Sequence, residues 1–233
     1  MIQLPRLHPA LPNVFPDPTS ALAEPNGLLA FGGDLSVERL VAAYSQGVFP
    51  WFNDDEPILW WSPDPRCIFR TDQLHVSRSL RRQLRRDGWT VTFDRAFGAV
   101  MRACAAPRAD QPGTWIGEDM IRAYNDLHAR GFAHSVEVWS EEGLVGGLYG
   151  VAIGRLFCGE SMFSIRTGGS KAALVGLCDL LQAWEFPLLD AQVTNDHLLR
   201  MGAIEIPRAS FIRQARHLSA LPGRPGSWAN ASR

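Results

Sequence analysis

The chain has 233 residues, 46% of them hydrophobic and 20% charged, and a formal net charge of −1. These proportions exclude a fibre or a disordered polypeptide, and the length allows one large domain or a small domain riding on a larger one. No apolar run approaches the roughly 18 residues of a membrane span, and Met1 to Leu11 lacks the continuous apolar stretch of a secretion signal.

The first 64 residues are rich in proline, turns and aromatics. Glu24-Pro25-Asn26-Gly27-Leu28-Leu29 leads into Gly32-Gly33-Asp34-Leu35-Ser36. Ser36 is a good N-cap for a helix from Val37 to Gln46, which Gly47 ends. Prolines around the aromatics of Val48-Phe49-Pro50-Trp51-Phe52 and of Pro57 to Arg66 favour an extended, rigid path. This texture predicts a small N-terminal domain over residues 1–64, with a break near Pro63 to Pro65 and a second domain over 65–233.

The second domain reads more regularly. A helix is expected from about Val76 to Arg86, then a strand from Trp89 to Phe93. Asp94 should cap a helix running to about Cys104, and another helix should span Glu118 to Arg130 and stop at Gly131. Three strands follow, His134 to Trp139, Leu144 to Ala152 and Arg155 to Phe163, with Glu141-Glu142-Gly143 turning between the first two. Ser170 should open a helix to about Trp184, followed by a strand from Leu188 to Val193 and a short helix from Asn195 to Met201. A last helix, about Arg208 to His217, precedes a Gly/Pro/Ser-rich tail expected to fray. Hairpins followed by a strand–helix–strand unit indicate an α+β domain with a mixed sheet.

Near-zero net charge does not exclude nucleic acid, because phosphate binding depends on the local field. Five arginines fall within nine residues from Arg78 to Arg86, with no acidic residue between them. At about 100° per residue, Arg78, Arg82, Arg85 and Arg86 share a face, Arg81 lies at its margin, and Leu80 and Leu84 point the other way. Such a face is either solvated or joined by an anion, and the guanidinium fork suits phosphate oxygens.

Two carboxylates interrupt apolar strands. In Leu188-Leu189-Asp190-Ala191-Gln192, a regular strand would put Asp190 and Gln192 on one face. A carboxylate so deep needs a partner, either backbone N–H groups or a substrate amine that it orients or deprotonates. Glu160, in Leu156 to Ser164, raises the same question, with a structural ion pair as the alternative. Gly159 beside it leaves room for close approach. Trp51, Trp60, Trp61 and Trp115 lie in Pro/Gly-flanked contexts, where flat rings could stack on a base. Packing between the domains is the preferred reading for Trp60 and Trp61. The four cysteines contain no Cys-x-x-Cys pair, which argues against structural zinc and for a reducing cytoplasm. Cys158, His134 and His197 are read as buried or capping residues rather than as a Cys–His pair.

At these residues the chain closely resembles the bacterial leucyl/phenylalanyl-tRNA–protein transferases. The matching segments run in family order over nearly the whole chain: residues 24–30, 32–36, 47–52, 57–66, Gly113-Thr114-Trp115-Ile116, His134 to Trp139, Leu144 to Gly147, Phe157 to Ser164 and Asp190 to His197. The resemblance implies a C-terminal domain similar to the N-acetyltransferase (GNAT) fold. It also implies transfer of Leu or Phe, less well Met, from tRNA to proteins beginning with Arg or Lys, marking them for N-degron degradation. Asp190 and Gln192 match the family's catalytic pair, and Glu160 its acidic active-site residue. Trp51 and Trp115 match aromatics that hold the 3′ adenosine. Leu148, Phe157 and Leu177 fall where the family lines its aminoacyl pocket, Leu148 standing where a relative has Met and Leu177 where it has Phe. Asn195 falls among the substrate-binding positions. Arg78, Arg82, Arg85 and Arg86 match a basic helix that touches the acceptor stem.

An aminoacyl ester is already activated, so neither ATP nor metal is expected as a cofactor. Asp190 would polarise Gln192 or accept the proton directly, and backbone N–H groups would hold the oxyanion. Two other readings stand beside this one. A CoA-dependent N-acyltransferase would use Arg166-Thr167-Gly168-Gly169-Ser170-Lys171 as its pyrophosphate loop, with Lys171 in a position that chemistry wants small. A non-catalytic RNA-binding module would explain the arginines but not Asp190, Gln192 and Glu160.

Overall fold

The computed structural model describes residues 4–107 and 115–231. Seven helices and eleven strands are present among these residues, in two sheets. The small sheet combines β1 (Arg6–Leu7), β2 (Leu28–Gly32), β3 (Phe49–Pro50) and β4 (Leu59–Trp61) in the order β1-β2-β4-β3. Helix α1 (Val37–Ser45) lies between β2 and β3, and the Ser36 side chain accepts the Arg39 N–H as expected of an N-cap.

The large sheet contains β5 (Arg66–Arg70), β6 (Thr90–Phe93), β7 (Ala133–Ser140), β8 (Gly143–Ile153), β9 (Leu156–Ser164), β10 (Leu188–Gln192) and β11 (Ile204–Ile206). Their order is β11-β5-β10-β9-β8-β7-β6. All neighbours are antiparallel except β9 and β10, which helix α5 (Gly169–Ala183) connects as parallel strands. The mixed sheet of an α+β protein is thus present. Strands β1, β2, β5 and β11 escape a periodicity reading because they are short or buried on both faces.

Alternation along the strands builds two cores. Leu148, Phe157 and Leu189 point to the face covered by α5, where Leu174, Leu177 and Leu181 meet them. Tyr149, Val151, Cys158 and Leu188 point to the other face. There they join α1, α3 (Phe97–Ala105), α4 (Glu118–Ala129) and α7 (Arg208–Ser219), together with Leu29 and Trp60 of the small sheet. Trp60 is fully buried and its indole N–H donates to Gly32 O at 2.9 Å. No helix among the described residues is long and apolar enough to cross a membrane.

Three local expectations are corrected. Asp94 does not cap α3, whose N-cap is Ala96. With φ at 51°, its carboxylate turns inward to the His134 ring (2.9 Å) and to the N–H groups of Ser135 (2.9 Å) and Trp228 (2.7 Å). Burial opposes its ionisation, but these hydrogen bonds hold its pKa below the usual range. The described part of the tail is anchored: Trp228 is 3% exposed and stacks on His134 with centroids 3.7 Å apart. The composition of the tail conceals one large apolar anchor. The Trp228 amide should therefore resist hydrogen exchange, unlike the amides around Gly226, and Asp94→Ala should remove that protection. Finally, α5 begins at Gly169 after Gly168 in the left-handed region, and Ser170 donates its N–H to Ser164 Oγ at 2.8 Å rather than capping the helix.

Candidate functional site

Asp190 leaves β10 on the face that carries Leu188, and it is fully buried. Its partner is Arg66 at the start of β5, one strand away. The guanidinium forks onto the carboxylate, Nε to Oδ1 at 2.8 Å and Nη2 to Oδ2 at 2.7 Å. Arg66 is itself buried between the rings of Phe49 and Phe211, and its Nη1 donates to Gly47 O at 3.1 Å. Both oxygens of this buried carboxylate are thus engaged by the guanidinium and turned away from solvent. Of the two roles open to Asp190, positioning fits this geometry. Its Oδ1 also accepts the backbone N–H of Gln192 at 3.0 Å.

Gln192 does not share a face with Asp190 through plain alternation. A bulge at Ala191 shifts the register against β5, and Gln192 holds a left-handed backbone, φ 63°. Val193 N–H closes a tight turn onto Ala191 O at 2.8 Å, and the strand ends at Gln192 rather than Val193. The turn aims the side chain across to β9, where Nε2 donates to Glu160 Oε1 at 2.8 Å. Glu160 sits at a second bulge, since Tyr149 pairs with Ser161 and Gly150 with Gly159, leaving Glu160 without a partner on β8. Bulges re-aim side chains in this way beside many active sites.

Glu160 forms no ion pair among the described residues. Its other oxygen accepts the Tyr124 hydroxyl at 3.0 Å, and the Tyr44 hydroxyl bonds that of Tyr124. Burial is the main influence and pushes its pKa from 4.5 up to about 7. Hydrogen bonds from Tyr44, Tyr124 and Gln192 restrain that rise, and the Asp190 charge adds to it.

The aromatics stand on this side of the sheet. Trp51 is 45% exposed and tilted against Trp61 at 5.7 Å, while Trp61 Nε1 donates to Trp51 O. Trp115 is half-buried, and Pro112 to Thr114 before it lie outside the described residues. The two tryptophan segments meet at Gly117, where a Cβ would come within 1.9 Å of the Asp54 carboxylate. Leu148, Phe157 and Leu177 are all buried in the core between the sheet and α5. The side-chain oxygen of Asn195 caps α6 (Asp196–Arg200) by accepting the Leu198 N–H at 2.9 Å, so its group is engaged within its own helix.

The arginine helix is α2 (Arg78–Asp87), with Leu80 buried beneath it. Arg78, Arg81, Arg82 and Arg85 line a shallow concavity on its outer face. Arg81, placed at the margin from sequence, belongs to this group. Arg86 instead pairs with Asp87 at 2.8 Å, an acidic neighbour just past the arginine run.

A family model described as leucyl/phenylalanyl-tRNA protein transferase matches residues 68–216, and the model of that family's N-terminal domain matches residues 33–64. Among curated relatives, the leucyl/phenylalanyl-tRNA–protein transferase of Cellvibrio japonicus is 57% identical over 208 residues, covering 89% of this chain and 88% of the relative. That of Hahella chejuensis is 58% identical over 209 residues, covering 88% of this chain and 89% of the relative. The chain belongs to the leucyl/phenylalanyl-tRNA–protein transferase family. Among solved structures, L-PGS from Bacillus licheniformis aligns with a TM-score of 0.40 at 16% identity, over 58% of this chain and 49% of that one, a level that decides nothing.

Sequence reading of this family member missed the residues that hold the site together. Arg66 closes a matching segment, but nothing in its neighbourhood marks it as the counter-ion of Asp190, 124 positions away. Tyr44 and Tyr124 were passed over as well. The available signal was scarcity: the chain has only 3 tyrosines, and all of them, with Tyr149, are buried against the Glu160 face.

Proposed function

We propose that this protein transfers a leucyl or phenylalanyl group from tRNA to the α-amine of proteins beginning with Arg or Lys, with Glu160 as the proton acceptor. The observation that carries the mechanism is a half-buried carboxyl held by the neutral donors Tyr124 and Gln192, which burial pushes up to about 7. An α-ammonium has a pKa near 8. Moving its proton to Glu160 is uphill by about one unit, roughly 1.4 kcal/mol, which is a small part of a barrier.

The ammonium gives one proton to Glu160, and the freed amine forms a bond to the ester carbonyl carbon. The carbon–oxygen bond to the tRNA ribose then breaks, the departing oxygen takes the proton from Glu160, and a second nitrogen proton passes to water. Gln192 donates Nε2 to Glu160, so its carbonyl oxygen is turned away and can accept from the incoming amine. Asp190, neutralised by Arg66, fixes Gln192 through its backbone N–H.

Trp51 and Trp115 would hold the terminal adenosine, and Leu148, Phe157 and Leu177 the aminoacyl side chain. Such a pocket separates ligands by only about 1–3 kcal/mol per methylene, so some transfer of Met is expected. The arginine face of α2 would take the acceptor stem. Residues 65–233 would form the GNAT-like unit and residues 1–64 the small N-terminal one. The parallel β9–α5–β10 unit and the gap between the two family matches support that division. The CoA alternative is disfavoured at the N-terminus of α5, where Gly169 and Ser170 already donate their N–H groups to Arg166 O and Ser164 Oγ.

The direct test is incubation with labelled Leu-tRNA or Phe-tRNA and a peptide beginning with Arg. Label should enter the peptide, and retention of all label on tRNA would refute the assignment. Engagement of about three phosphates predicts that kcat/KM falls by more than about ten-fold between 50 and 200 mM salt. Arg82→Glu with Arg85→Glu should lower activity and flatten that slope, whereas an unchanged slope would remove α2 from the tRNA site.

A further inference from the structure

The mechanism above uses Glu160 but leaves unexplained three buried phenols around it, on elements that are far apart in sequence. Tyr44 is near the end of α1, Tyr124 in the middle of α4 and Tyr149 on β8, and each is at most 1% exposed. Burying three hydroxyls beside an apolar core is costly unless they are bonded. The pattern of their bonds is directional. With Tyr124 donating to Glu160, Tyr44 is left to donate to Tyr124, and the Tyr44 hydroxyl also acts on the carboxylate itself. Donation from Tyr44 polarises Tyr124 and makes it the stronger donor to the carboxylate.

We infer that Tyr44 is a positioning residue for aminoacyl transfer, acting on Glu160 together with and through Tyr124 to hold it in its proton-accepting form. The inference rests on the reading of Glu160 as the proton acceptor, and it goes further by making α1, which precedes the large sheet in sequence, part of the catalytic apparatus. A second contact from the same turn supports it. Gly47, three residues after Tyr44, supplies the carbonyl that accepts Arg66 Nη1, and Arg66 holds Asp190. The end of α1 therefore touches the supports of both carboxylates.

The groups facing Glu160 are Tyr44 from α1, Tyr124 from α4, Tyr149 from β8, and Gln192 and Asp190 from β10. The Asp190 charge is matched by Arg66 from β5, and Cys158 on β9 and Cys104 on α3 lie nearby, Cys158 with its thiol pushed up by burial. Tyr149 Oη has no hydrogen-bond partner among the described residues, so it is not a link in the chain.

Because the protein has only 3 tyrosines, growth on 3-fluorotyrosine labels this cluster and nothing else. The experiment is a fluorine NMR titration of the full-length protein from pH 5.5 to 8.5, with assignment by Tyr44→Phe and Tyr124→Phe, alongside the pH profile of kcat/KM. The Tyr124 and Tyr44 resonances should both move with one midpoint near 7, and Glu160→Gln should abolish both movements. Loss of a donor to the carboxylate raises its pKa, so Tyr124→Phe should shift the kinetic limb upward by about one unit. Tyr44→Phe should shift it the same way, with kcat at pH 7 reduced and KM for aminoacyl-tRNA unchanged. A Tyr44 resonance that stays flat while Tyr124 titrates, or a limb that Tyr44→Phe leaves in place, would overturn the inference without touching the role of Glu160. A limb that survives Glu160→Gln would instead remove the reading beneath it. The titration uses the fluorinated wild-type chain, so it remains decisive even if a Phe variant folds poorly.

Discussion

Glu160→Gln should slow transfer by about a thousand-fold while making the protein more stable at pH 8. The loss follows from removing the proton acceptor, since general base catalysis contributes about 10²–10⁴-fold. The gain follows from linkage. Glu160 titrates at about 7 in the folded protein, against 4.5 ordinarily. Between those values the folded state binds more protons than the unfolded state, so this group makes stability fall as pH rises. The cost is absent below pH 4.5 and complete above pH 7, at roughly 3 kcal/mol as an upper figure. Glutamine keeps the site bonded, because it can accept from Tyr124 and donate to the amide oxygen of Gln192 after that amide turns over. Urea denaturation at pH 5 and pH 8.5 should therefore show little difference from wild type at the lower pH and a clear gain at the higher. A stability loss at both would mean that Glu160 holds the fold together rather than being tolerated for its chemistry.

Breaking the Arg66–Asp190 pair should be the most destabilising change at the site. Arg66→Met leaves a fully buried carboxylate with no cationic partner beside the Gln192 N–H and the Cys158 thiol, and loss of one partner of a buried pair costs about 3–5 kcal/mol. Removing both, as Arg66→Met with Asp190→Leu, takes away the unpaired charge and should recover most of that loss. Activity should not return with stability, because Gln192 no longer has the Oδ1 acceptor that fixes its backbone beside the bulge. Chemical denaturation and transfer assays on the two single variants and the double variant separate these effects. A double variant that is both stable and active would show the pair to be replaceable packing.

The two buried carboxylates of the candidate site could be read in the sequence, but little of their wiring. Asp190 and Glu160 announce themselves as charges in apolar strands, since burial without a partner is expensive. The sequence could not say that Asp190 is answered by an arginine 124 positions away, while Glu160 is answered by phenols and an amide. The expectation that alternation sets Gln192 failed because a bulge costs one residue and leaves no compositional mark. Arg81 and Arg86 flank the arginine face at similar helical angles, and what separates them, the draw of Asp87 on Arg86, is a contact rather than a period.

Local rules settled the elements whose causes are local. Ser36 starts a helix, Gly47 and Gly131 follow helix ends, and the three long strands of the hairpins form where expected, though bulges interrupt their alternation. The matching segments, in order along the chain, were enough to name the family. Tertiary structure alone decided the use of Asp94 as an anchor for the C-terminal tail, the burial of Trp228 and the closure of Tyr44 onto Tyr124. Each joins residues 80 or more positions apart. No propensity carries that information, because the energy of such contacts exists only once the chain has brought both partners out of water.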